Sequence, residues 1–185
     1  MIYTIVAGEN ATQLCHGLGA VLGKFCGVAM AQGSSLWASG SRADVLLWQG
    51  QGDLTVQAPG SILVFGQPSR RAVKIEVPAD CVVVADWEDE AAASFAARRG
   101  LCLLDCGLST KASLTFSSIG REVGVVALQR SITDQSGRRV DPLELPLALP
   151  GGARYPLLAA VGILLLGGMG ARLEGQLAAK NGENR

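Results

Sequence analysis

The sequence has no excess of charge of either sign. Lys and Arg number 16, Asp and Glu 16, and together they are only 17% of 185 residues. A dedicated nucleic-acid binder carries a clustered basic excess and an acidic disordered chain the reverse, so both classes are excluded. There is one histidine, His16, and no second cysteine pair to join Cys102 and Cys106. No zinc set follows from such spacing, and no metal is expected. The five cysteines (Cys15, Cys26, Cys81, Cys102 and Cys106) are odd in number and irregularly spaced; Cys81 and Cys102 lie in Val and Leu runs, where a free thiol behaves as a small apolar group. The start, MIYTIVAGEN, lacks a basic n-region, and its apolar run is too short for a signal peptide. Reduced thiols and a cytoplasmic location are therefore expected. Tyr155–Met169 (YPLLAAVGILLLGGM) comes nearest to a membrane span. It falls short of the ~20 residues a bilayer requires, and with Pro156 in its first turn it reads as a buried core helix. Neither a G-X-Y period nor an internal repeat is visible.

What is present is apolar bulk and glycine. The hydrophobic fraction is 49%, ample for the core of one domain and rich for a fully exposed monomer, so a protein partner or self-association is expected. Gly is 24 of 185, roughly twice the usual ~7%, which implies tight turns and close backbone approaches.

Ile2–Ala7 is a β-rich run that ends at Gly8. Leu14, Leu18, Val21, Leu22 and Phe25 then recur at helical spacing, with Asn10 as N-cap and Gly27 as stop, and Val28–Ala31 returns as a second strand. This is the opening of an α/β fold. Residues 32–43 read as a loop. Val45–Trp48, Ile62–Phe65, Cys81–Ala85 and Leu101–Leu104 are unbroken apolar runs of the kind found in strands covered on both faces. Between the last two, DWEDEAAASFAARRG reads as a helix, acidic first, Arg98 and Arg99 last, Gly100 as stop. From Ser113 the segments SLTFSSI, VGVVALQRSIT and RRVDPLELPLAL alternate without an intervening helix, with Asp134–Gly137 as a hairpin turn. The expected fold is a mostly parallel, Rossmann-like or P-loop-like sheet flanked by helices, with a small antiparallel sheet over about 107–149. It forms a single domain over 1–175, and the tail 176–185 is expected to fray.

Several candidates reduce to packing. Cys15 and His16 are adjacent on a helix and point about 100° apart, so they form no pair. Gly17, Gly19 and Gly23 have the wrong spacing for a dinucleotide fingerprint and read as close helix packing. Asp86, Glu88, Asp89 and Glu90 complement a helix N-terminus. Strand C-termini are where open α/β sheets keep a ligand crevice, so Trp48, Asp86 and Trp87 are candidate pocket-lining residues, with core-edge packing as the alternative.

The order of these pieces resembles the central domain of the Mur ligases, the ATP-dependent amino-acid ligases of peptidoglycan synthesis, and their folylpolyglutamate synthase relatives. Ile5-Val6-Ala7-Gly8-Glu9-Asn10-Ala11-Thr12-Gln13 stands where that family has a strand, then G-T-N-G-K-[ST], then a helix. Val83–Asp86 is similar to its V-N-x-D strand end, Leu104–Ser109 to the strand that enters its antiparallel part, and Leu149-Pro150-Gly151 followed by Leu158-Ala159-Ala160-Val161 to its L-P-G-x-H-N…N-A-L-A-A. The resemblance implies a phosphate site at Gly8, Glu9, Asn10, Ala11, Thr12 and Gln13. It also implies what is lost there: Ala11 replaces a glycine, Thr12 the lysine that meets the β/γ charge, and Gln13 the hydroxyl that ligates Mg²⁺. Ala153 and Arg154 occupy the His-Asn stretch, no Asp-His pair is found in GQPSRR, and 185 residues leave no room for a C-terminal ligase domain. The expectation is a scaffold without catalytic residues and without a cofactor, acting as a binding or assembly module near cell-wall metabolism. The alternative is an enzyme or sensor that holds ATP, another nucleotide or phosphate through the modified loop.

Overall fold

The computed structural model describes residues 1–39, 42–66, 74–149 and 154–173. The expected frayed tail, the Pro150–Gly152 break and most of GQPSRR lie outside these residues. In chain order the elements are β1 (Ile2–Ala7), α1 (Ala11–Leu22), β2 (Val28–Gln32), β3 (Ser35–Ser39), β4 (Val45–Gln49), β5 (Leu54–Thr55), β6 (Ile62–Phe65), β7 (Ile75–Glu76) and β8 (Val82–Asp86). They continue with α2 (Glu90–Arg99), β9 (Cys102–Cys106), β10 (Leu114–Ile119), β11 (Val123–Leu128), β12 (Ile132–Thr133), β13 (Arg139–Val140), β14 (Leu143–Ala148) and α3 (Arg154–Leu166).

Ten strands form one sheet in the order β14-β11-β10-β9-β8-β6-β1-β4-β2-β3. Its centre, from β9 to β2, is parallel. β10 joins β9 in parallel through the single pair Leu114↔Cys106, and β11 and β14 follow antiparallel. The antiparallel half expected from Ser113 onward thus extends the main sheet; among the described residues β12 and β13 form a separate antiparallel pair, and β5 and β7 a short parallel one.

Side chains alternate across the pleat, so each central strand feeds two cores. On one face Val6 joins Leu18, Leu22 and Leu164, and on the other Ile5 and Ala7 join Leu63, Phe65, Val83 and Phe95. α1 and α3 cover the first face and α2 part of the second. All ten residues from Leu157 to Leu166 are buried, which is why α3 is apolar all round. Among the described residues no helix is long and apolar enough to cross a membrane.

The α1 glycines serve close packing, as their spacing indicates. A Cβ on Gly17 would lie 3.2 Å from the Pro156 ring, and one on Gly19 2.6 Å from Met30 Sδ. The helix ends at Leu22 rather than near Gly27. The N–H groups of Lys24 and Phe25 turn back three residues, to the carbonyls of Val21 and Leu22, which tightens the chain out of the α path. Asn10 occupies the N-cap position without a side-chain capping bond. In α2 the cap is made: Asp89 Oδ1 accepts the Ala92 N–H at 3.0 Å, and Gly100 closes the helix in the left-handed region at φ 65°. Asp89→Ala is expected to cost about 1 kcal/mol, read as a lowered urea midpoint with an unchanged slope.

The expectation of an irregular loop over 32–43 is corrected. Gly33 (φ 55°) and Ser34 form a two-residue turn, and Ser35–Ser39 returns antiparallel along β2. The segment SLWAS is exposed throughout, so it carries none of the in-out alternation by which a strand is read from sequence.

Candidate functional site

β1 lies in the sheet interior, paired in parallel with β4 on one side and β6 on the other. From its end the chain turns through residues 8–10 directly into α1, as the sequence pattern requires. α1 leads towards β2 on one side, whereas the chain leaving β6 goes to β8 on the other. The C-terminal ends of β1 and β6 therefore flank a topological switch point, the place where open α/β sheets bind ligands.

The turn there is held tightly. Gly8 has φ 111°, and a Cβ on it would overlap the carbonyl oxygen of Gly66. Gly66 N–H donates to Ala7 O at 2.7 Å, and Ala11 N–H reaches back to Gly8 O at 3.3 Å. A cleft of about 310 Å³ opens beside this turn, between Gly8, Glu9, Ala11 and Thr12 on one wall and the segment from Gln49 to Gly52 on the other. Glu9, Asn10, Thr12 and Gln13 are exposed and Ala11 is buried. Of the six candidate residues, four thus line the cleft; Asn10, in the turn, and Gln13, in the first turn of α1, are not part of its wall.

Sequence reasoning missed Gln49. It is 6% exposed at the end of β4, level with Val6, and its Nε2 donates to Thr12 Oγ1 at 2.6 Å. The bond ties the start of α1 to the β4 end through the Thr12 hydroxyl oxygen, whose own O–H is left to donate. The signal available was the polar, Gly-rich stretch Gln49-Gly50-Gln51-Gly52 after an apolar strand. Among the described residues, the only ionisable side chain on the cleft wall is that of Glu9. Glu9 is exposed, so what repulsion it offers an incoming polyanion is screened by solvent and salt.

The other candidates separate into two places. Trp48 is half-buried on the second face of the sheet, where it lines a groove of about 240 Å³ with Tyr3, Leu46 and Val56. Asp86 and Trp87 stand at the end of β8, with β1 and β6 between them and β4, a separation of about 14 Å at ordinary strand spacing. Asp86 Oδ1 accepts the Glu88 N–H at 2.9 Å; burial pushes its carboxyl above the usual range, and Glu88 and Asp89 add to the shift. Trp87 is 40% exposed, and its N–H donates to Cys106 O at 2.7 Å. Beside them Tyr155, at the start of α3, donates its hydroxyl to Phe65 O at 2.7 Å; burial raises its pKa, with Cys106, Asp86 and Asp89 contributing. This tyrosine locks α3 to the end of β6. Among the described residues no group of three or more His, Cys, Asp and Glu could hold a metal ion.

No family model matches the sequence, and no curated protein does. The fold does have solved counterparts. The chain is similar to a UDP-N-acetylmuramoyl-L-alanyl-D-glutamate–2,6-diaminopimelate ligase, with a TM-score of 0.54 and 10% identity over 94% of this chain and 45% of that one. It is similar to the MurF ligase of Thermotoga maritima, determined in complex with ADP, at TM-score 0.54 and 8% identity over 91% of this chain and 45% of that one. It is also similar to the bifunctional folylpolyglutamate synthase/dihydrofolate synthase of Yersinia pestis, at TM-score 0.51 and 13% identity over 89% and 54%. The chain thus has a Mur-ligase-like α/β fold and spans about half the length of these structures.

Proposed function

We infer that this Mur-ligase-like chain is a binding or assembly module that does not carry out ATP-dependent ligation. The observation that carries the reading is the Gln49–Thr12 bond of 2.6 Å in a cleft where, among the described residues, Glu9 is the one ionisable side chain on the wall. Thr12 stands where the resembling motif has its lysine. Triphosphate binding by such loops depends on that cation and on a Ser or Thr ligand to Mg²⁺. Here the first is an uncharged hydroxyl that accepts from Gln49 and supplies no positive charge, and the second is Gln13. The partner is a protein or a second copy of the chain. Five cysteines without a disulfide, and kinship in fold with peptidoglycan-precursor ligases, support a reducing cytoplasmic setting near cell-wall metabolism.

Isothermal titration of the whole chain with ATP and Mg²⁺ tests this. No saturable heat is expected up to about 1 mM, a Kd weaker than roughly −4 kcal/mol of binding. Micromolar binding accompanied by turnover overturns it. A second reading, in which the loop holds a nucleotide or phosphate, is favoured by one feature: α1 opens straight from β1 into the cleft, and helix N-termini attract anions. A concentration-dependent rise in Tm with ATP, ADP or inorganic phosphate would support it, and a flat response excludes it.

A further inference from the structure

The two ends of the ten-stranded sheet are treated differently. β14 ends one side with Glu144 and Pro146 in its six residues. A charge and a missing N–H are the usual devices that stop another strand from pairing. β3 ends the other side with Ser35-Leu36-Trp37-Ala38-Ser39, which has no charge, no proline and no bulge in its pairing with β2. The whole hairpin 28–39 carries no charged residue. Leu36 is 69% and Trp37 49% exposed.

The hairpin geometry fixes which backbone groups this edge offers. In a two-residue hairpin the closing pair, Gln32↔Ser35, is hydrogen-bonded, and bonded pairs then recur every second residue. Ser35, Trp37 and Ser39 therefore direct their N–H and C=O towards β2, and Leu36 and Ala38 direct theirs outward. An antiparallel partner related by a two-fold axis through Trp37 meets these groups in register: Leu36 bonds Ala38 of the second copy, Ala38 bonds Leu36, and the two Trp37 residues face each other as a non-bonded pair, the closer kind, which suits aromatic rings. On the second face each Leu36 lies opposite an Ala38, large against small. The edge is complementary to itself in hydrogen bonding, in size and in its lack of charge.

We propose that β3 pairs with β3 of a second copy, antiparallel about Trp37, to join two sheets into one. This gives the assembly module of the preceding reading its partner. It rests on that reading only for its purpose, and its test reads mass rather than ATP binding, so either can fail alone. Five residues per copy make a contact well below the ~800 Å² per partner of a standard interface, so the association is weak and needs high concentration.

The test is sedimentation equilibrium of the whole chain from about 10 µM to about 1 mM. The average mass is expected to rise towards twice that of one chain. Leu36→Lys and Leu36→Pro are each expected to weaken this at least about tenfold while leaving Tm and circular dichroism unchanged, since the Leu36 N–H points away from β2 and takes no part in the β2–β3 pairing. Trp37→Cys, made with Cys102→Ser to remove the one exposed native thiol, is expected to oxidise to a covalent dimer faster than Leu36→Cys or Ala38→Cys. Directly opposed Cβ atoms lie about 5 Å apart and diagonal ones about 7–8 Å. A single-chain mass at every concentration overturns the proposal. So does a dimer that survives both Leu36 variants, or one whose cross-linking shows no preference for position 37.

Discussion

Gly8→Ala lowers the Tm of this protein by about 10 °C, a loss of about 3–5 kcal/mol. Two costs add. At φ 111° an L-residue is strained by about 1–3 kcal/mol. The new Cβ also overlaps the Gly66 carbonyl oxygen, which is backbone and cannot rotate away. Relief requires β1 and β6 to separate at the switch point, breaking the Gly66–Ala7 bond, and forced overpacking of this kind costs about 1–3 kcal/mol more. For a chain of this length each kcal/mol moves Tm by about 2–4 °C. Thermal unfolding checks it, and a shift of less than about 2 °C shows that the turn relaxes freely. The same geometry has a practical consequence. Substituting Gly8 with a bulky residue unfolds the protein instead of probing a ligand; Gln49 and Thr12 are the cleaner positions, because their bond can be removed without moving backbone.

Leu164→Ala is expected to cost about 3 kcal/mol and to lower Tm by about 6–12 °C. Leu164 is fully buried in the core shared by α1, α3 and the first sheet face. Truncation removes its burial and leaves a cavity among Leu and Val side chains that close packing prevents from collapsing fully. Leu108→Ala, at a site 57% exposed, is the control, with a change within about 0.5 kcal/mol. Equilibrium denaturation of the pair separates the core helix of the structure from a surface or membrane-facing role for the same Leu-rich segment. In the latter case the two variants would unfold alike.

The cleft beside Gly8 is walled by groups that meet one another. Gln49 and Thr12 bond across its edge, and among the described residues Glu9 is the one ionisable side chain on its wall.

The sequence by itself determined the elements whose signal is local. Ile62–Phe65 reads as a strand because four consecutive apolar residues between turn residues leave no polar face, and its bounds match the structure. α2 is legible from Asp89 to Gly100, because the cap, the charge gradient and the left-handed stop are properties of neighbouring residues. The order strand, turn, helix around Gly8 was legible for the same reason. Only the tertiary structure decided what depends on distant partners. That Ser35–Ser39 is a strand follows from pairing with β2, since an exposed edge buries neither face. That Trp48 and Trp87 belong to different places follows from strand order, which inserts β1 and β6 between residues that the sequence presents as equivalent strand ends. That Gln49 holds Thr12, 37 residues away, follows from β4 lying beside β1. Local pattern encodes what a segment forms; only long-range packing, which no short window contains, encodes what it meets.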